Sequence, residues 1–204
     1  MCQLACGFGY SSGSPSKGAC VNDTLSLLAW IKQRSKDNTV VVWGDSLGNG
    51  HNLCPDGIIL ESGFNNFEDI VRHLPISQAY YAFLPTSWVD RMLIEPPRKY
   101  LDINFNSDQN ILHVPLPVLI LHAEDDRIVP LELAYRLFDA AKRRPDSYSH
   151  LVQFPAGQGY RHVHIWKAAE LVPLLKNFIT KVVQSPSQVV DSIHDTIKAS
   201  HQNS

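Results

Sequence analysis

The pentapeptide Gly44-Asp45-Ser46-Leu47-Gly48 has the spacing G-x-S-x-G and follows directly on the apolar run Thr39-Val40-Val41-Val42-Trp43. That is the pattern of a nucleophile elbow. The chain turns so tightly from strand to helix that flanking glycines are needed to avoid clashes, and the serine hydroxyl is left exposed at the sheet edge. The backbone N–H of Leu47 would then point at a developing oxyanion. The competing reading is a glycine-rich turn carrying a surface serine. A hydroxyl is a weak nucleophile until a base takes its proton, and the base must be held by an acid. In this architecture the chain order is Ser, acid, His. The acid should end a later strand, and Asp126 lies just past the apolar run PVLILH, four residues before Pro130. Asp125 is the rival, and Glu124 reads as a solvated loop carboxylate. The base should lie in the loop after the last strand. That loop runs from Pro155 and ends Gly159-Tyr160-Arg161-His162, which makes His162 the candidate, with His164 close enough to be confused with it. Outside the loop's candidate and His122 at the strand end, the histidines at 51, 73, 113, 150, 164, 194 and 201 read as surface or core residues. Acyl transfer of this kind requires no metal and no organic cofactor.

Such residues need a scaffold that brings distant strand ends together. Four short apolar runs supply strands: Val40 to Trp43, Gly57 to Leu60, Pro117 to His122 and Ser149 to Phe154. Each is continuous rather than alternating, as in strands buried on both faces of a parallel sheet. Helical spacing marks residues 20–34, 130–143 with Pro130 near the first turn, and 164–183 with an interruption at Pro173. The β–α alternation predicts an α/β fold, a mostly parallel sheet with flanking helices. Residues 62–114 break the rhythm. They hold Phe64, Tyr80, Tyr81, Phe83 and Trp88 among Pro85, Pro96 and Pro97, and are expected to form an aromatic-rich insertion over the C-terminal edge of the sheet. Ordinary packing is the competing role for its aromatic residues. The domain is expected over residues 1–184, with a polar tail at 185–204.

Composition narrows the function classes. The chain has 204 residues, enough for one domain with a real core and too few for two ordinary enzyme domains. With 18 Lys+Arg against 20 Asp+Glu, and no basic block, it has no electrostatic footprint for nucleic acid. No run of apolar residues is long enough to span a bilayer, and the N-terminus lacks the charged and apolar regions of a signal peptide. Cys2, Cys6, Cys20 and Cys54 form no CxxC pair and read as buried or free thiols.

The stretches GFGYSSGSPSKG, GDSLGNG, GIILESGFNN, VPLPVLILHAEDDRIVPLE and GYRH resemble the α/β-hydrolase domain-containing protein 12 family over residues 7–182. The resemblance implies an α/β-hydrolase fold with Ser46 as nucleophile, Asp126 as acid and His162 as base. It also implies cleavage of monoacylglycerols and lysophosphatidylserine at the endoplasmic reticulum membrane, with membrane contact through the lipid substrate. Three departures stand out. Asp45 replaces the family's histidine beside the serine, and a carboxylate there disfavours the charge of a tetrahedral intermediate. Only residues 47–57 separate Ser46 from Ile58, close to the minimum for a strand–helix–strand crossover. The chain is also expected to start part-way into the family fold, with the upstream strands, the second oxyanion donor and the membrane anchor outside it. Val40 to Trp43 should then lie at a sheet edge.

Three alternatives remain open at this level. A GDSL-type esterase would pair Ser46 with Asp191 and His194 of the Asp191-Ser192-Ile193-His194 segment. A depalmitoylase would share the opening GFGYSSGSPS. A catalytically impaired hydrolase-like scaffold would account for Asp45 and the short crossover.

Overall fold

The computed structural model describes residues 17–44, 55–100, 105–145 and 148–184. Four strands form one parallel sheet in the order β1-β2-β3-β4: β1 Val41–Gly44, β2 Gly57–Glu61, β3 Val118–Ala123 and β4 Ser149–Phe154. All lie within one residue of the apolar runs. β3 starts at Val118 because Pro117 has no N–H to give the ladder. Its carbonyl is used instead, accepting from Ile58 N at 2.9 Å. Among the described residues β1 is an outer strand of the sheet.

β3 is buried along its whole length, and its side chains divide by parity. Leu119, Leu121 and Ala123 join Ile59, Phe154, Phe178 and Val182 on one face, which the helix α8, Leu171–Gln184, covers. Val118 and Ile120 join Leu60, Leu137, Ala140 and Ala141 on the other, which the helix α7, Leu131–Lys142, covers. A period of two with both phases apolar is what a central parallel strand requires. Gly57 opens β2 because α8 leaves no room there. A Cβ would stand 2.8 Å from Val182 Cγ2 and 3.3 Å from Phe178 Cζ.

The expected helix over 164–183 is corrected. Residues Ile165–Lys167 make a single 3₁₀ turn, and α8 begins only at Leu171, which puts Pro173 in its first turn. A proline lacks the N–H that an interior position needs, so the helix starts just before it rather than running through it. At the other end of the sheet Arg144 is buried and has no carboxylate partner among the described residues. It donates to the carbonyls of Ala141 (2.9 Å), Val114 (2.6 Å), Leu116 (2.7 Å) and Tyr148 (3.3 Å) and to Ser149 Oγ at 2.6 Å. Burial pushes its guanidinium down to about 10, still charged at neutral pH.

The described residues between 62 and 114 form short helices: α2 Phe67–His73, α3 Pro75–Tyr81, α4 Thr86–Leu93, α5 Glu95–Tyr100, α6 Ser107–Asn110 and a 3₁₀ turn at Ile111–His113. Asn66 caps α2 by accepting from Asp69 N at 2.8 Å, and Pro75 starts α3. The excursion closes on itself where Asn66 bridges Asn106 and Phe67 N donates to Phe105 O at 2.9 Å. Before the sheet, α1 spans Lys17–Ser35. No helix among the described residues is long and apolar enough to cross a membrane.

Candidate active site

β3 and α7 are joined by the segment from Glu124 to Pro130, and this segment holds the acid candidate rigidly. Asp126 N donates to Ala123 O at 3.1 Å, turning the chain back over the strand end. Asp126 Oδ1 then accepts two backbone donors, Ile128 N at 2.8 Å and Val129 N at 3.0 Å. Its second oxygen, Oδ2, accepts from His162 Nδ1 at 2.8 Å. The carboxylate is fully buried, while the His162 side chain keeps a quarter of its surface exposed. Because a carboxylate can only accept, the Nδ1 proton is defined, and Nε2 remains as the ring atom able to take a proton.

His162 arrives on a loop whose backbone is bent by Gly157 (φ 92°), Gly159 (φ 74°) and Arg161 (φ 48°). The acidic run after β3 grips this loop at three places. Glu124 Oε2 accepts from Ala156 N at 3.0 Å, Asp125 Oδ1 from Arg161 N at 2.8 Å, and Asp126 from the His162 ring. Glu124 is therefore not the idle solvated carboxylate expected from its sequence context, and Asp125 bonds to backbone rather than to the imidazole. His164 does not meet Asp126. Its N–H donates to Tyr160 O at 2.9 Å, closing the turn after His162.

Two residues passed over in the sequence stand against this pair. His122, on β3 and without solvent exposure, donates from Nε2 to Val129 O at 2.9 Å and lies 3.8 Å from Asp126 Oδ2. Burial pushes its pKa down, so it is held neutral; its Nδ1 has no partner among the described residues. Ser62, the first residue after β2, donates from Oγ to the His162 carbonyl at 2.9 Å. The His162 backbone therefore stands beside the end of β2, the strand paired to β1 through Leu60 and Gly44. Gly44 is two positions before Ser46. Asp45, Ser46 and Leu47 lie outside the described residues, as do Asp191 and His194.

An acid after one parallel strand bonded to a histidine after the next places this chain in the α/β-hydrolase fold, and solved structures agree. It aligns with the esterase from Pyrococcus furiosus at a TM-score of 0.59 and 16% identity, covering 86% of this chain and 66% of that one. It aligns with BpoC from Mycobacterium tuberculosis at 0.53 and 15%, covering 86% and 79%. In sequence it is 38% identical over 187 residues to the lysophosphatidylserine lipase ABHD12 of Danio rerio, covering 85% of this chain and 48% of the relative. Against the protein of that name in Macaca fascicularis the figures are 39% over 189 residues, 86% and 46%. Against human ABHD12B they are 33% over 191 residues, 86% and 50%. By sequence the chain is similar to members of the α/β-hydrolase domain-containing protein 12 family, and it spans about half the length of the curated relatives it matches. No protein-family model matches it.

Proposed function

We propose that this chain is a serine ester hydrolase acting on single-chain lipid esters, lysophosphatidylserine and monoacylglycerol, through an acyl-enzyme. The observation that carries the reading is the 2.8 Å bond between the buried Asp126 carboxylate and His162 Nδ1. Ser46 Oγ attacks the ester carbonyl while His162 Nε2 takes its proton. The tetrahedral intermediate's oxyanion is held by Leu47 N–H. Its collapse breaks the bond to the alcohol, which leaves with the proton from Nε2. Water then repeats the sequence, releasing the fatty acid and restoring Ser46. Asp126 keeps the proton of the resting ring on Nδ1 and stabilises the imidazolium that forms at each transfer.

The choice of a lipid is supported by the names of the sequence relatives and by the surface of the insertion. Ile76 on α3, Phe83 between α3 and α4, and Trp88 on α4 are 62%, 89% and 69% exposed. Apolar side chains this open suit contact with a membrane that presents the substrate. The family resemblance points to the endoplasmic reticulum as that membrane. The test is incubation of the purified chain with a fluorophosphonate probe, followed by peptide mapping, beside hydrolysis of lysophosphatidylserine and monoacylglycerol. The expected result is labelling at Ser46 that Ser46→Ala abolishes, with fatty-acid release from both lipids. A label on another serine, or release unaffected by Ser46→Ala, would overturn the assignment.

A further inference from the structure

We infer that Ser62 is a positioning residue for His162, holding its backbone while Asp126 holds its ring. The inference rests on the reading of His162 as the base. Ser62 leaves β2 with its N–H still in the ladder, donating to Leu121 O at 2.9 Å. Its φ of 51° then lies in the left-handed region, which disfavours any residue with a Cβ. Glycine would take this conformation without strain. Yet the residue is a serine, 3% exposed, whose hydroxyl is spent on the carbonyl of a residue 100 positions away. The other side of the same residue is held too: Arg161 N, one peptide before His162, donates to Asp125 Oδ1 at 2.8 Å, and Arg161 is itself left-handed. The main chain on both sides of the His162 Cα is thus tied to the ends of β2 and β3. A general base must keep its nitrogen within hydrogen-bond reach of the hydroxyl it deprotonates, and a displacement of about 1 Å can cost as much as a hundredfold.

The test separates the hydroxyl from the backbone conformation. Ser62→Gly removes the hydroxyl and relieves the φ strain, whereas Ser62→Ala removes the hydroxyl and keeps the strain. Both should lower kcat on the order of tenfold with KM within about twofold. Ser62→Gly should melt no lower than the native chain, and Ser62→Ala should melt lower. Proton NMR should show the slowly exchanging His162 Nδ1–H of the native chain broadened in both variants. Asp125→Ala should lower kcat in the same way, and Asp125→Asn, which keeps an accepting oxygen, should restore it. A well-folded Ser62→Gly with native kcat and an unchanged Nδ1–H resonance overturns the inference. So does a loss that merely follows the fraction unfolded. Turnover that survives His162→Ala, or a native chain without turnover, overturns the functional reading instead. In that event the NMR resonance decides: its persistence in Ser62→Gly refutes the positioning role, and its loss supports it.

Discussion

Replacing Asp126 by asparagine should change which nitrogen of His162 carries the proton. Asp126 Oδ1 accepts from Ile128 N at 2.8 Å and from Val129 N at 3.0 Å. An asparagine must keep its carbonyl oxygen there. Turned the other way, its NH₂ would face two backbone donors and forfeit both bonds, a cost of about 2–5 kcal/mol for buried groups. The NH₂ is therefore directed at His162 Nδ1, where the carboxylate oxygen stood at 2.8 Å. Nδ1 must then accept, the ring proton moves to Nε2, and the nitrogen that should take the Ser46 proton is already occupied. A tautomer error of this kind costs about 10⁴ in kcat with geometry preserved, or about 5.4 kcal/mol of transition-state stabilisation. Substrate contacts are untouched, so KM should hold. Because both backbone bonds to the side chain survive, the melting temperature should fall only slightly. The assay pairs hydrolysis and probe labelling with ¹⁵N NMR of the imidazole, which reads the tautomer directly. Asp126→Asn that keeps more than a tenth of native turnover, or whose ring retains the Nδ1–H tautomer, would refute the reasoning.

Four further outcomes are expected. Arg144→Met strands the carbonyls of Val114, Leu116 and Tyr148 beside an apolar side chain, and chemical denaturation should show a loss of about 2–4 kcal/mol. Gly57→Ala drives a methyl to 2.8 Å from Val182 Cγ2, and the overpacking should cost about 1–3 kcal/mol in the same experiment. His122 has a folded pKa below the ordinary 6.5, since burial outweighs the pull of Val129 O and Asp126, with His162 adding to the depression. The unfolded chain then binds the extra proton first, so stability is full above about pH 6.5 and declines as pH falls towards the lowered folded value; denaturation from pH 7.5 to 5 should show a shallower decline in His122→Gln than in the native chain. Phe83→Ser with Trp88→Ser should slow hydrolysis of lysophosphatidylserine in vesicles while sparing a short water-soluble ester, and equal losses on both substrates would argue against membrane contact through these exposed side chains.

The strands could be read in advance because a parallel strand buried on both faces needs no periodicity, only an unbroken apolar run, and β3 supplies one from Val118 to Ala123. The helix α7 was equally plain, with Pro130 before Leu131 and an amphipathic repeat behind it. The insertion was not. Its helices are six to eight residues long from α2 to α5, too short for a repeat to declare itself, and local devices such as the Asn66 cap set where they start. Pro173 misled because a proline looks the same in sequence whether it breaks a helix or sits in its first turn.

The site divides along a similar line. Asp126 and His162 could be selected because each chemistry-bearing side chain follows a strand, and strand ends are ordered along the chain. Their supports could not. Glu124, Asp125 and Ser62 act on main-chain groups of the loop before and at His162, and any residue type at 156, 161 or 162 other than proline would present the same N–H and any at all the same carbonyl. No side-chain pattern announces such a partnership. The one local signal was conformational: Ser62 occupies a backbone region in which glycine is at ease, directly before Gly63, and only coordinates disclose which of the two takes the turn. A motif thus locates Asp126 and His162, which the structure joins by a hydrogen bond, while the groups that hold the loop in place are chosen by the tertiary contact itself. Variation at Ser62 or Asp125 in related chains should accordingly track the geometry of the 155–162 loop rather than the identity of the residues around the elbow.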